Sequence, residues 1–251
     1  MFESMRGKVA IVTGGTAGLG RSTALAFAQQ GVKVVIAGRS ADKGAAVVRE
    51  IQERGGEASF VQTDVSRAAD VERMVDHTLA TYDRLDYAFN NAGVITLGLI
   101  PETSEDDWDL VINTGLKGIW LCLKYEIPAM AQSGGGAIVN MASTSGVTGH
   151  ATISAYSASK GGIIALTRVA AIEGAKAGIR VNAVSPSMIE TDMSLSIPNG
   201  LEILTAVGLT YPIGRHGQPE EVANPVVFLC SDGASFITGH NLLIDGGETI
   251  M

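Results

Sequence analysis

Val9-Ala10-Ile11-Val12-Thr13-Gly14-Gly15-Thr16-Ala17-Gly18-Leu19-Gly20 decides how this chain folds. Val9 to Val12 is a short apolar, β-branched run, the pattern of a strand buried on both faces. The helical pattern after the glycines continues through Ala24-Leu25-Ala26-Phe27-Ala28 and stops at Gly31. A strand, a glycine turn and a helix in that order aim backbone N–H groups and a positive helix end at a phosphate. Glycine also serves ordinary turns that need positive φ. Its position between a buried strand and a helix is what points to a phosphate, here through Gly14, Thr16, Gly18, Leu19 and Gly20.

Working outward, the same alternation repeats. Val32 to Ala37 reads as a second strand, followed by Gly38-Arg39-Ser40. In a dinucleotide fold this strand ends at the adenosine ribose, where an acid binds a free 2′-hydroxyl and a base accommodates a 2′-phosphate. Arg39 and Ser40 supply donors, and Gly38 is uncharged and leaves room. Ala41 to Arg54 reads as an amphipathic helix closed by Gly55-Gly56, and Ala58 to Gln62 as a third strand. In the following Thr63-Asp64-Val65-Ser66, Asp64 can accept from an adenine amino group; equally, Asp64 and Ser66 can cap the helix that runs to about Tyr82. Leu85 to Phe89 is a fourth strand, leading into Asn90-Asn91-Ala92-Gly93.

Thr103-Ser104-Glu105 opens a long helical region to about Met130, with Trp108, Val111, Ile112 and Leu116 on its apolar face. Asn113 sits among them and needs a partner. Gly134-Gly135-Gly136 ends that region. Ala137 to Met141 is a fifth strand, and Ser143 falls just past its C-terminal end, where open α/β sheets place ligands. Ala155 to about Lys176 is a helix, Ile179 to Val184 a sixth strand, and residues 193–216 read as an irregular lid. A helix after Pro219 and a last strand, Asn241 to Ile244, complete the chain. Such alternation specifies an α/β fold, a doubly wound parallel sheet of Rossmann-like type, in a single domain.

The stretch Tyr156-Ser157-Ala158-Ser159-Lys160 carries the chemistry. Tyr156 and Lys160, four apart on a helix, share one face. A free phenol titrates at about 10, and a neighbouring ammonium favours its phenolate. The pair suits proton transfer to and from an oxygen, and Ser143 can donate to the same oxygen.

Composition narrows the field. The 251 residues are 46% hydrophobic and 5% aromatic, with 31 glycines and a net charge of −8. An acidic chain without a basic run excludes nucleic acid and anionic membrane as expected partners. Cys122 and Cys230 lie far apart in apolar surroundings, without metal spacing, as buried thiols do in a reducing compartment. The absence of an apolar leader and of a membrane-length apolar run predicts a soluble, cytoplasmic protein.

With these motifs in order, the chain resembles the short-chain dehydrogenase/reductase family over essentially its whole length. Thr13-Gly14…Gly18-Leu19-Gly20 looks like the family's cofactor loop, Asp64-Val65 its adenine contact, and Asn90-Asn91-Ala92-Gly93 its Asn-Asn-Ala-Gly segment. Asn113, Ser143, Tyr156 and Lys160 fall where the family keeps its catalytic tetrad. The resemblance implies Tyr156 as acid/base, Ser143 steadying the substrate oxygen, and Lys160 lowering the tyrosine pKa and holding the nicotinamide ribose. It implies that Asn113 holds a water in a proton relay. Asn91, Ala92, Gly93, Pro186, Ile189 and Thr191 join the implied cofactor contacts. Ser187 departs from the family, which usually has glycine there.

The expected activity is hydride transfer between NADP(H), with NAD as the weaker alternative, and a ketone, aldehyde or secondary alcohol. A 3-oxoacyl-carrier-protein reductase is the enzymatic alternative; its acidic partner calls for a basic docking face, for which Lys176 and Arg180 are candidates. A non-catalytic dinucleotide-binding sensor is the other. A substrate loop is expected at about 187–216. Pocket-lining residues are expected at Val94, Ile95, Thr96, Thr144, Val147, His150, Ile153, Met188 and Met193, few of them charged, which favours neutral substrates. Apolar residues on the helices at 104–132 and 154–176, including Trp120, Leu121, Ile163, Ile164 and Leu166, together with family precedent, predict a homotetramer.

Overall fold

The computed structural model describes residues 2–196 and 199–251. Its seven strands are β1 (Val9–Thr13), β2 (Lys33–Gly38), β3 (Ala58–Gln62), β4 (Tyr87–Asn90), β5 (Gly136–Met141), β6 (Ile179–Pro186) and β7 (Asn241–Ile244). They form one parallel sheet in the order β3-β2-β1-β4-β5-β6-β7. β1, β4 and β5 are buried almost throughout, as expected for continuous apolar runs covered on both faces.

The helices between strands are α1 (Gly18–Gln29), α2 (Ala41–Glu53), α3 (Ala68–Tyr82), α4 (Glu105–Val111), α5 (Gly118–Gln132) and α6 (Ser154–Gly174); α7 (Asp192–Leu195), α8 (Gly200–Gly208) and α9 (Pro219–Cys230) follow β6. Alternate residues of each strand feed two cores. Ala10, Val12, Val34, Ile36, Phe89 and Val139 pack with α1, α2 and α9. Ile11, Val35, Ala88, Ile138 and Val181 pack with α3, α5 and α6. No helix among the described residues is long and apolar enough to cross a membrane.

Three expectations change. The long helical region from Ser104 is not α-helical throughout: a π-helical turn, Ile112–Lys117, joins α4 to α5 and contains Asn113. The segment at 193–216 is not simply irregular, since α7 ends in it and α8 occupies its middle. Residues 197 and 198 of that segment lie outside the described residues. Of the apolar residues expected at an interface, Leu121, Ile163 and Ile164 are spent on the core, while Trp120 is exposed, as are Trp108, Leu110, Val169 and Ile172.

The strand order reverses between β1 and β4, so the crevice past their C-terminal ends is where an open sheet binds ligands. Thr13 and Asn90 are register partners at that point.

Candidate active site

The glycine turn is held in place from β4. Thr13 Oγ1 accepts the N–H of Asn91 at 2.9 Å and that of Ala92 at 3.2 Å. Asn91 Nδ2 donates to the carbonyls of Thr13 and Gly14. Thr13 opens the stretch that resembles a cofactor loop, and its hydroxyl serves to hold the Asn-Asn-Ala-Gly segment against it. Gly14 and Gly18 have φ of +64° and +49°, which glycine tolerates best. A Cβ on Gly14 would lie 2.8 Å from Asn91 Nδ2, and one on Gly20 would collide with the Gly14 carbonyl. At the N-cap of α1, Ala17 provides no side-chain acceptor, so the first N–H groups of the helix stay available to an anion. Leu19 turns its side chain into the core, leaving its backbone to the turn. A Cβ on Gly18 would lie 3.5 Å from Thr191, which brings Thr191 beside the turn.

Past β2 and β3 lies an open cavity of about 530 Å³, lined by Arg39, Gln62, Asp64, Arg67, Asp70 and Arg73 among others. The glycine cradle, the free end of α1 and this cationic cavity run along one sheet edge and fit a dinucleotide. Gly38 packs closely on the glycine turn: a Cβ there would sit 2.8 Å from Thr16 Cγ2. Ser40 caps α2, accepting the Lys43 N–H at 3.5 Å, so its O–H remains a donor. Asp64 and Ser66 do not cap α3, which has Arg67 at its N-cap. Asp64 Oδ1 takes the N–H and O–H of Ser66 and so closes its own turn. Val65 is buried against Gly118 at the start of α5.

Ser143, Tyr156 and Lys160 meet at the far end of the same edge. Ser143 follows β5, accepts the Ser145 N–H at 3.2 Å and is within 3.5 Å of the Pro186 carbonyl. Its hydroxyl stands near enough to the Tyr156 phenol to favour the ionised form. Lys160 Nζ lies 5.2 Å from the centre of the Tyr156 ring and donates to the Met141 carbonyl at 2.7 Å. A Cβ on Gly93 would be 3.8 Å from Lys160 Nζ, which joins the Asn-Asn-Ala-Gly segment to the catalytic side. The π turn bearing Asn113 packs on α6, the helix of Tyr156 and Lys160. Such turns recur at functional sites because they displace one side chain from the helical register.

Electrostatics correct one expectation. Burial raises the Tyr156 phenol above its ordinary value, with the Ser143 hydroxyl pulling the other way. Burial also lowers Lys160 to about 7. The residues alone therefore hold the phenol above its ordinary value, against the lowering expected from Lys160, because loss of solvent acts on both groups.

The expected substrate residues gather unevenly. Gly98 N–H donates to Thr152 O at 2.8 Å, tying the loop of Val94, Ile95 and Thr96 to the loop before α6 that carries Ile153. Ile95, Val147 and Met193 are exposed, Met188 is half-buried and Thr144 is buried. His150 bonds Thr148 Oγ1 at 3.0 Å and lies 3.5 Å from Glu248, an acidic neighbour that the sequence did not reveal. Ile189 is a core side chain, and its carbonyl accepts from Ser194 Oγ. Ser187 needs no glycine: it lacks positive φ, and its Oγ bonds Tyr211 Oη at 2.5 Å.

Comparison with known proteins agrees with this geometry. A family model described as enoyl-(acyl carrier protein) reductase matches residues 14–249. The chain is 42% identical over 252 residues to a cyclohexanol dehydrogenase of Acinetobacter sp. (strain SE19), covering 99% of this chain and 98% of that protein. It is 40% identical over 248 residues to a 3-oxoacyl-[acyl-carrier-protein] reductase of Synechocystis sp., covering 98% of each. Among solved structures, levodione reductase superposes with a TM-score of 0.94 at 33% identity, covering 98% of both chains. A short-chain type dehydrogenase/reductase from Mycobacterium marinum gives 0.93 at 33% identity, covering 100% of this chain and 98% of that one.

Proposed function

The chain belongs to the short-chain dehydrogenase/reductase family, and from that premise we propose that it reduces neutral ketones or aldehydes to alcohols with NADP(H), the reverse oxidation being favoured at high pH. The observation that carries this reading is the meeting of the Ser143 and Tyr156 hydroxyls beside the buried Lys160 amine. A nicotinamide dinucleotide bound along the glycine turn and the Arg39 cavity supplies the hydride for the carbonyl carbon. Ser143 holds the carbonyl oxygen by a hydrogen bond. Tyr156, kept protonated by burial, delivers its proton to that oxygen, so that hydride and proton together make the alcohol. Lys160 and Asn113 restore the phenolic proton from solvent. Arg39 and Ser40 offer the 2′-phosphate a planar fork and a hydroxyl.

Neutral substrates suit the mostly apolar residues around Ser143, and Glu248 beside His150 adds a negative charge that disfavours anionic ones. The segment at about 187–216 serves as the substrate loop. The exposed Trp108, Leu110, Trp120, Val169 and Ile172 support assembly as a homotetramer. The two free, buried cysteines suit the cytoplasm.

Reduction of carrier-bound 3-oxoacyl groups is the second reading, supported by the relatives so named. Arg180 does not favour it: its guanidinium is half-buried and donates to the carbonyls of Leu229, Cys230, Ser231 and Ile237. It closes the end of α9 and has little left for a carrier protein.

The test follows NADPH and NADH absorbance over a panel of ketones, keto acids and 3-oxoacyl thioesters. Tyr156→Phe should lose roughly 10²–10⁴-fold in kcat. Wild type should favour NADPH by about 10- to 100-fold in kcat/KM, and Arg39→Ala should erase most of that. Near-normal turnover of Tyr156→Phe would refute the mechanism, and a wild-type preference for NADH would refute the cofactor assignment.

A further inference from the structure

The glycine turn has Ala17 where some NADP-binding relatives place a second basic residue, so Arg39 lacks that helper. The cavity past β2 and β3 offers another. Three arginines line it, and their commitments differ. Arg73 is engaged, 3.1 Å from Asp70 and donating to the Gln62 carbonyl at 3.2 Å. Asp70 also accepts the Asp64 N–H, and Asp64 Oδ1 is taken by Ser66. Arg39 and Arg67 remain. Among the described residues, neither guanidinium has a carboxylate within ion-pair distance or a hydrogen-bond acceptor.

Arg67 is nonetheless well placed in its backbone. Its N–H donates to the Asp64 carbonyl at 3.0 Å, and its own carbonyl accepts from Asp70 and Val71. Its φ of −109° and ψ of 116° are extended, so the side chain leaves from the turn ahead of α3 and not from a helical face. Asp64 and Asp70 line the cavity too, and Asp70 feels the Arg67 charge, but neither carboxylate is within ion-pair distance of Arg39 or Arg67, so both guanidinium groups stay available to a dianion. A phosphate monoester carries about −1.5 to −2 charge at neutral pH and accepts several charged hydrogen bonds.

We propose that Arg67 is the second cation for the 2′-phosphate of NADP(H), acting from the β3–α3 turn on the cavity that Arg39 also lines. This rests on the NADP reading above. It makes specificity depend on a turn that the sequence pattern assigned only to adenine contact or helix capping.

The test measures binding of 2′,5′-ADP and 5′-AMP by titration calorimetry; the two ligands differ by the 2′-phosphate alone. Wild type, Arg39→Ala, Arg67→Ala and Arg67→Lys are compared, with far-UV circular dichroism as a check that each is folded. Arg67→Ala should weaken 2′,5′-ADP by about 10-fold, the effect of one charged hydrogen bond, while leaving 5′-AMP within about 2-fold. Arg67→Lys should recover part of the loss. Equal weakening of both ligands by Arg67→Ala would overturn the proposal, since it would mean that Arg67 stacks on the base. So would an unchanged ratio for Arg67→Ala with a collapsed one for Arg39→Ala, which would leave Arg39 as the sole phosphate ligand. If wild type binds both ligands equally, the NADP reading itself fails, and Arg67 has no phosphate to serve.

Discussion

Replacing Lys160 with methionine should make the protein more stable at pH 6 while ending its activity. Lys160 is only 3% exposed. Its ammonium donates to the Met141 carbonyl and faces the Tyr156 ring, and among the described residues it has no carboxylate partner. Burial lowers it from 10.5 to about 7. At 1.36 kcal/mol per pKa unit, keeping the buried group charged at pH 6 costs at most about 5 kcal/mol. Methionine removes that cost. It also loses the bond to Met141 and the cation–π contact, worth about 1–3 kcal/mol together, leaving a net gain of at most about 2–4 kcal/mol. The pH dependence is the cleaner reading. A lysine with a depressed folded pKa binds fewer protons folded than unfolded, so stability rises as pH climbs from about 7 towards 10.5. Between pH 6 and pH 9 wild type should gain about 2–3 kcal/mol from this group, and Lys160→Met should gain none of it. At about 2–4 °C per kcal/mol, the lead of the variant in Tm should shrink by roughly 5–10 °C over that range. Calorimetric scans of both proteins at equal concentration, without cofactor, measure it. A variant less stable at every pH, with a Tm curve parallel to that of wild type, would refute the reasoning.

Two further outcomes follow from buried polar groups. Glu126 is fully buried, accepts from Asn90 Nδ2 at 2.9 Å and is raised by burial to about 7, while its Oε1 and Asn90 Oδ1 both lack donors. Its raised pKa gives stability that is full below about 4.5 and falls as pH climbs through about 7, so Glu126→Gln, which can donate to Asn90, should flatten the Tm decline between pH 5 and pH 8. An unchanged slope would mean that Glu126 is ionised in the folded protein. Tyr211→Phe should lose about 0.5–1.5 kcal/mol of stability with the Ser187 bond and, on the function proposed above, raise KM by loosening the start of the segment at 187–216. Ser187→Gly should do the same, and the double variant should be no worse than either single one; additive losses would show that the two hydroxyls act separately.

The sequence reveals most of the fold because its strands are short apolar runs set between glycine stops and amphipathic helices, signals that need no tertiary information. The ends of β1, β4 and β5 could be read within a residue or two, and with them the positions of the glycine turn, Asn91 and Ser143. What stayed hidden depends on distance in space. Nothing around Asn113 in the sequence marks a π turn, since its backbone bonds differ from an α-helix by one residue of register. The ionisation of Tyr156 was misjudged because spacing reports a neighbouring charge but not the loss of solvent that outweighs it. Arg180 reads as a surface cation until its four carbonyl partners are seen. Glu248 is far from His150 in the chain, so only the folded structure shows an acid at the rim.

The polar interior of the sheet has a reason in the same geometry. Asn90 on β4 bonds Glu126 on α5 and Asn140 on β5, and Asn140 bonds Thr167 on α6. Apolar residues there would pack at less desolvation cost. Yet each member stands next to a working part. Asn90 precedes Asn91, which holds the glycine turn; Asn140 precedes Met141, whose carbonyl takes the Lys160 proton donor; Thr167 lies seven residues after Lys160, on the same helical face. Directional bonds fix register and rotation, which interchangeable apolar contacts specify less sharply. The chain from Glu126 to Thr167 thereby ties the ends of β4 and β5 to α5 and to α6, the helix of Tyr156 and Lys160, and the shifted ionisation of Glu126 is the cost of that alignment.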